Sequence, residues 1–148
     1  MKSIILASKS EVRKKILDEN QIECTVEPSN LDEDEVKKSL INNDVTPELI
    51  SKNLAELKAN KVSQRRPGEI VLGADSVIDL NGKLISKPTN RKEAMNILES
   101  LNGKSHFLIS SVCISLNGKM IWNYTEKAEM TMKNFTQDEL ENYLSKIS

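Results

Sequence analysis

Aromatic residues are scarce in this sequence, with one Trp, two Tyr and two Phe among 148 residues. A stacking platform for single-stranded RNA or DNA needs several aromatic faces along a basic groove, so that class is excluded. Excess charge of one sign is also lacking. The 21 basic and 22 acidic residues leave a net charge of −1, which argues against a dedicated nucleic-acid binder. Only two cysteines are present, Cys24 and Cys113. They lie far apart and in no metal-ligand spacing, and read as reduced thiols of an intracellular protein. No long apolar run occurs. Ile4-Ile5-Leu6-Ala7 is too short for a signal peptide or a membrane span. The expectation is a cytoplasmic protein with neither membrane nor nucleic acid as a partner. The single histidine, His106, has no Ser or Cys nucleophile motif beside it and reads as a hydrogen-bonded strand residue. What remains is a charged chain long enough for one domain with a real core.

The most informative stretch is Glu69 to Pro88, EIVLGADSVIDLNGKLISKP. Ile70, Val71 and Leu72 read as a buried strand. Gly73 and Ala74 let the backbone approach something closely. Asp75 then places a carboxylate at the end of an apolar run. Asn81-Gly82 between apolar segments is a hairpin signal, because both central residues must take positive φ. The return strand through Leu84-Ile85 brings Lys87-Pro88 back toward Asp75. A carboxylate and an ammonium at two ends of one ribbon suit a metal and a phosphate. A buried Asp–Lys ion pair serving structure alone is the alternative.

Elsewhere strands and helices alternate. Ser3 to Ala7 reads as a strand, Ser8-Lys9-Ser10 as a loop, and Glu11 to Asn20 as a helix capped by Ser10 with Val12, Ile16 and Leu17 on one face. Strand, polar loop and helix N-terminus together form an anion-binding arrangement, to which Ser8, Ser10 and Arg13 add donors. Ile22 to Val26 is a second short strand. The acidic run from Asp32 to Glu35 is either a solvated helix start or, with one carboxylate aimed inward, part of a cation site. Thr46-Pro47 opens a helix with Ile50, Leu54, Leu57 and Val62 inward, and Lys58 sits among Ala55 and Ala59, able to pass its stem across the core edge. Asn90 to Glu93 is a capping-box pattern before Ala94, Ile97, Leu98 and Leu101. Leu108, Val112, Ile114 and Leu116 are expected on the buried face of the next strand, and Asn117-Gly118 turns it into a partner strand. A last helix follows Thr136, lined by Leu140, Tyr143, Leu144 and Ile147. The sum is an α/β domain with a mixed sheet and ligands beyond the strand ends.

Six short motifs stand in order between residue 4 and about residue 113: Leu6-Ala7-Ser8-Lys9-Ser10-Glu11-Val12-Arg13, Asp32-Glu33, Leu54-Ala55-Glu56-Leu57-Lys58-Ala59, Gly73-Ala74-Asp75-Ser76, Lys87-Pro88, and Leu101-Asn102-Gly103-Lys104-Ser105-His106. Together they resemble the Maf family of nucleoside triphosphate pyrophosphatases. The resemblance implies an α/β, Maf-like (inosine triphosphate pyrophosphatase-like) mixed sheet flanked by helices, usually dimeric. It also implies hydrolysis of a canonical or modified nucleoside triphosphate to the monophosphate and pyrophosphate with a divalent cation, magnesium or manganese. Arg13, Lys58 and Lys87 would then supply positive charge, and Ser8, Ser10 and Ser76 would contact substrate. Asp75 would be the general base or a metal-bound activator, and Glu33 would assist at the metal. A catalytically silent nucleotide-binding regulator of septum formation or cell division is the alternative.

The sequence departs from the family pattern in two respects. Glu11 and Val12 replace a proline and an arginine, and that arginine belongs to substrate selection in the branch acting on thymidine and uridine triphosphates. The branch acting on 7-methylguanosine triphosphate carries tryptophan there, so Val12 leaves base preference open. Family chains also continue through a G-x-Y-x-x-x-G segment and a G-L-P motif that this sequence lacks. Residues 1–148 are therefore expected to form one Maf-like domain without the C-terminal part of the family fold.

Overall fold

A computed structural model describes residues 3–147, so residues 1, 2 and 148 of the expected domain lie outside the described residues. The elements in chain order are β1 (Ile4–Leu6), α1 (Glu11–Glu19), β2 (Cys24–Val26), α2 (Glu33–Asn42), α3 (Pro47–Arg65), β3 (Val71–Leu80), β4 (Lys83–Ile85), α4 (Arg91–Leu101), β5 (Ser105–Leu116), β6 (Lys119–Thr131) and α5 (Gln137–Lys146). They build one mixed six-stranded sheet of order β2-β1-β3-β5-β6, with β4 also paired to β3. β1 runs parallel to both β2 and β3, whereas the β3–β4, β3–β5 and β5–β6 pairs are antiparallel. The expected α/β fold class is therefore the observed one. No helix among the described residues is long and apolar enough to cross a membrane.

The chain passes from β1 through α1 to β2 on one side, and returns through α2 and α3 to β3 on the other. The strand order thus reverses about β1. In sheets of this kind ligands sit beyond the carboxyl ends of strands at such a reversal. The register fixes where that is. Ile5 and Leu6 pair with Val71 and Leu72, so β1 ends while β3 runs on, and Asp75 comes level with the Ser8-Lys9-Ser10 loop.

The long helix α3 packs on the middle of the sheet because small residues allow it. Ala55, Ala59 and Val62 join Ile5, Ala7, Val71 and Cys113 in the buried core. A Cβ placed on Gly73 would drive into the Ala55 carbonyl oxygen and lie 2.8 Å from the Ala59 nitrogen. The glycine is therefore required by the close approach, as its position before Asp75 suggests. Both expected hairpins are present, with positive φ at Asn81, Gly82, Asn117 and Gly118. Ser10, Thr46, Asn90 and Thr136 cap the helices they precede.

Several inward positions differ from the expectation. The buried face of β5 is Ile109, Ser111, Cys113 and Ser115, not Leu108, Val112, Ile114 and Leu116. The alternation was legible, but both faces carry apolar residues, and α3 covers the one that bears Ile109, Ser111, Cys113 and Ser115. Ser115 Oγ donates to Asn60 Oδ1 at 2.6 Å, so that serine is satisfied by α3. Val12 and Ile16 of α1 are exposed, as are Leu57 on α3 and Tyr143 and Ile147 at the C-terminal end. The Asn90–Glu93 box is half formed. Asn90 accepts from the Glu93 amide, but the Glu93 carboxylate accepts from the amide and hydroxyl of Thr89 instead of the Asn90 amide.

Candidate active site

A cavity of about 660 Å³ opens at the carboxyl end of β1. Ser8, Ser10, Arg13, Glu33, Lys58, Asp75, Ser76 and Lys87 all line it. Every site residue expected from the sequence is thus brought to one place, from five separate segments of chain.

The anion loop holds itself in shape. Ser8 is buried, and its Oγ accepts from the Ser10 amide and from Arg13 Nη1, each at 3.1 Å. Ser10 Oγ accepts from the Arg13 amide at 3.3 Å. Two amides expected to face a ligand are therefore already used within the loop. Arg13 lines the cavity, and its guanidinium spends one nitrogen on Ser8 and keeps further donors in reserve. Val12 points away: it is 69% exposed and does not line the cavity.

The same cavity is lined by a charge cluster in which Lys58 and Asp75 are buried and Glu33 is partly exposed. Lys58 Nζ is 2.7 Å from Glu33 Oε1, and 3.1 Å from both Asp75 Oδ1 and the Ala74 carbonyl oxygen. Lys58 is 7% exposed and Asp75 5%. Gly73 creates this cluster indirectly, by letting α3 approach until the Lys58 stem reaches across β3. The buried Asp–Lys pair is thus Asp75 with Lys58. Lys87 is exposed and lines the same cavity, but among the described residues it makes no ion pair or hydrogen bond with Asp75. Ser51 Oγ donates to the Asp75 carbonyl oxygen at 3.1 Å and fixes the strand from beneath.

Burial pushes the Asp75 carboxyl above its ordinary range, more strongly than the neighbouring Lys58 and Lys37 charges pull it down, and Glu33 adds repulsion. Burial also pushes Glu33 upward, but the hydrogen bond and charge of Lys58, with Lys37 and Lys87 beyond, outweigh it and hold Glu33 below its ordinary range. Two carboxylates on one ammonium are thereby separated in proton affinity. Asp75 Oδ2 is buried and has no hydrogen-bond partner among the described residues. A buried oxygen with strong acceptor capacity and no partner on a cavity wall is a place for a water, a cation or a substrate proton.

The acidic run resolves into two roles. Asp32 caps α2, accepting from the Glu35 amide at 3.1 Å, and Glu33 turns inward. Among the described residues no three His, Cys, Asp or Glu side chains converge as a ready cation cage. The donor set present, one spare oxygen each on Asp75 and Glu33, suits a hard cation that takes most of its ligands from water and phosphate. His106 lies on β5 opposite Met130 and outside the cavity. Its Nδ1 is buried without a hydrogen-bond partner among the described residues, contrary to the satisfied strand residue expected. The sequence reading also passed over Lys37 on α2 and the apolar side of the cavity formed by Ile78, Ile85, Ile97 and Leu108. The alternation of the hairpin was the available signal for Ile78 and Ile85, and the helical spacing of α4 for Ile97. The available signal for Lys37 was its place four residues after Glu33, which puts it and not Lys38 on the face of that carboxylate.

The architecture has counterparts among solved structures. A Ham1 protein of Staphylococcus aureus matches with a TM-score of 0.53 at 14% identity, covering 86% of this chain and 70% of that one. A HAM1 protein from Coxiella burnetii matches with a TM-score of 0.53 at 16% identity, covering 87% and 71%. These define the fold as Ham1-like. A family model described as "Maf-like protein" matches residues 3–148, and the chain belongs to the Maf family. Over all of its 148 residues it is 70% identical to a protein of Pelagibacter ubique named nucleoside triphosphate pyrophosphatase, of which it spans 76%. A Ruegeria protein of the same name is 37% identical over 97% of this chain and 72% of that one. A Brucella abortus protein named 7-methyl-GTP pyrophosphatase is 33% identical over 97% and 72%.

Proposed function

We propose that this protein hydrolyses a nucleoside triphosphate to the nucleoside monophosphate and pyrophosphate. The observation that carries the reading is the buried Asp75 carboxylate, tethered by Lys58 through Oδ1, without a partner at Oδ2 among the described residues, and lining one cavity with the anion loop. Lys58 keeps the carboxylate oriented and favours its charged form, while burial strengthens it as a base. Oδ2 takes a proton from a water as that water attacks the α-phosphorus. The bond from that phosphorus to the bridging oxygen breaks, and pyrophosphate leaves with the electron pair.

Arg13, with Ser8 and Ser10 behind it, binds phosphate oxygens, and Lys87 brings a second cation from the hairpin. Glu33 and Asp75 are the residues that would hold a divalent cation, magnesium or manganese, which would supply charge neutralisation on the polyphosphate. The nucleobase occupies the apolar side formed by Ile78, Ile85, Ile97 and Leu108. Ser76, whose Oγ lies 3.1 Å from Ser110 Oγ, offers a hydroxyl at that border.

The test is pyrophosphate release from a panel of canonical and modified triphosphates, on the wild type beside Asp75→Asn. Loss of at least about 10²-fold in kcat in a folded variant is expected for removal of a general base. Unchanged turnover would remove Asp75 from the chemistry. Nucleotide binding without turnover in the wild type would leave a nucleotide-binding protein and remove the enzyme.

A further inference from the structure

The family resemblance gives Lys58 a share of the positive charge supplied to the substrate, and its surroundings already hold the ammonium between protein oxygens. An ammonium has three N–H donors. The Lys58 ammonium has three oxygens at hydrogen-bond distance, from Glu33, Asp75 and the Ala74 carbonyl. It is buried among them, and two carboxylates already balance its charge. It holds the two carboxylates, and the cavity-lining cations left to meet a polyphosphate are Lys9, Arg13, Lys37 and Lys87.

Lys37 is placed for that. It lies on α2 four residues after Glu33, so the two side chains rise from the same helix face. Glu33 pins that face to Lys58 at 2.7 Å. One turn on, about 6 Å along the axis, Lys37 lines the cavity half-buried. Among the described residues it makes neither an ion pair nor a side-chain hydrogen bond. A half-buried lysine with no protein partner on a cavity wall has its donors available to a ligand. The charge of Lys37 is felt at both Glu33 and Asp75, consistent with a position at the rim of the same site.

We propose that Lys37 is a substrate-binding residue that grips the pyrophosphate half of the triphosphate. The assignment rests on the functional reading above, with the attacked phosphorus beside Asp75. In this assignment the departing phosphates extend from Asp75 past Glu33 toward the turn of α2 that carries Lys37. Lys37 therefore holds the leaving group and not the nucleoside monophosphate.

The experiment compares wild type, Lys37→Ala and Lys37→Arg in magnesium buffer, by calorimetric titration with inorganic pyrophosphate and by steady-state turnover. In Lys37→Ala, pyrophosphate affinity falls and KM for the triphosphate rises, each by about tenfold or more, the scale of one charge-assisted hydrogen bond. Inhibition by nucleoside monophosphate stays within about twofold, and Lys37→Arg recovers most of the pyrophosphate affinity. The melting temperature of each variant matches the wild type, since Lys37 has no protein partner to lose. Unchanged pyrophosphate affinity in Lys37→Ala, weakened monophosphate inhibition, or a wild type that binds no pyrophosphate would each overturn the assignment. Pyrophosphate binding is read without turnover. A wild type that binds pyrophosphate through Lys37 but hydrolyses nothing would overturn the functional reading and leave the Lys37 site standing.

Discussion

Lys58 Nζ lies 3.1 Å from Asp75 Oδ1, and both groups are buried. This contact joins α3 to β3 and sets the proton affinity of the proposed base. Removing the ammonium with Lys58→Met leaves Asp75 buried without its counter-charge. The Asp75 carboxyl then moves further above its ordinary range, because desolvation is already the larger influence on it. The acid limb of kcat/KM against pH shifts to higher pH in the variant. Stability at neutral pH falls by about 3–5 kcal/mol, the cost of breaking a buried pair from one side. That loss shrinks as pH drops and Asp75 takes up its proton. A pH–rate profile and melting curves at several pH values measure both effects; an unmoved acid limb would contradict the role given to Lys58.

Asp75 also bears on the stability of the wild type. Its folded pKa lies above its unfolded value. Below the ordinary carboxylate range, near pH 4, the group is protonated in both states and the burial does no harm. As pH rises through the raised folded pKa, the ionised carboxylate is disfavoured in the folded state and stability is lost. Asp75→Asn removes that penalty while keeping an acceptor for Lys58. The variant melts above the wild type at neutral pH, and the difference vanishes toward pH 4. A variant that melts lower at neutral pH would show that pairing with Lys58 outweighs desolvation. Activity traded for stability at one side chain is what a functional carboxylate predicts.

The sequence carried most of this arrangement, for reasons particular residues make plain. Asn81-Gly82 and Asn117-Gly118 dictate hairpins through local backbone geometry, so both were legible. Ser10, Thr46 and Thr136 cap helices through bonds spanning three residues. The face of β5 was not legible. Apolar residues stand on both of its faces, and only the docking of α3 against Ile109, Ser111 and Cys113 decides between them. The partner of Asp75 was hidden for the same reason. Lys87 is near in sequence, whereas Lys58 arrives through packing that Gly73, Ala55 and Ala59 permit.

The two thiols differ in accessibility, and a reagent can read the difference. Cys113 is 2% exposed, and burial, with Glu56 nearby, pushes its pKa up to about 11. Thiolate is the reactive form, so Cys113 is inert in the folded state. Cys24 is half-buried on β2, at the edge of the sheet. Titration with a chromogenic disulfide at pH 8 releases one equivalent from native protein and the second only on addition of denaturant. Two equivalents released together from native protein would show that α3 does not seal the face of β5.

Two glycines allow the packing of α3 to be tested by contrast. Gly68 has φ +78° and nothing within 4 Å of an added Cβ. Gly68→Ala therefore meets only backbone strain, costs about 1 kcal/mol, and leaves the site intact. At Gly73 an added Cβ collides with the Ala55 carbonyl oxygen and the Ala59 backbone nitrogen of α3. Neither is the far end of a flexible side chain, so α3 must move as a body. Gly73→Ala is expected to cost about 3 kcal/mol, the upper part of the overpacking range, seen as a lower urea midpoint. The displacement also carries Lys58 away from Asp75. Well below its melting temperature, the folded Gly73→Ala protein should turn over more slowly than Gly68→Ala and show the raised acid limb predicted for Lys58→Met. If Gly73→Ala lost stability yet kept the wild-type pH profile, the Lys58–Asp75 contact would not depend on the approach of α3 to β3.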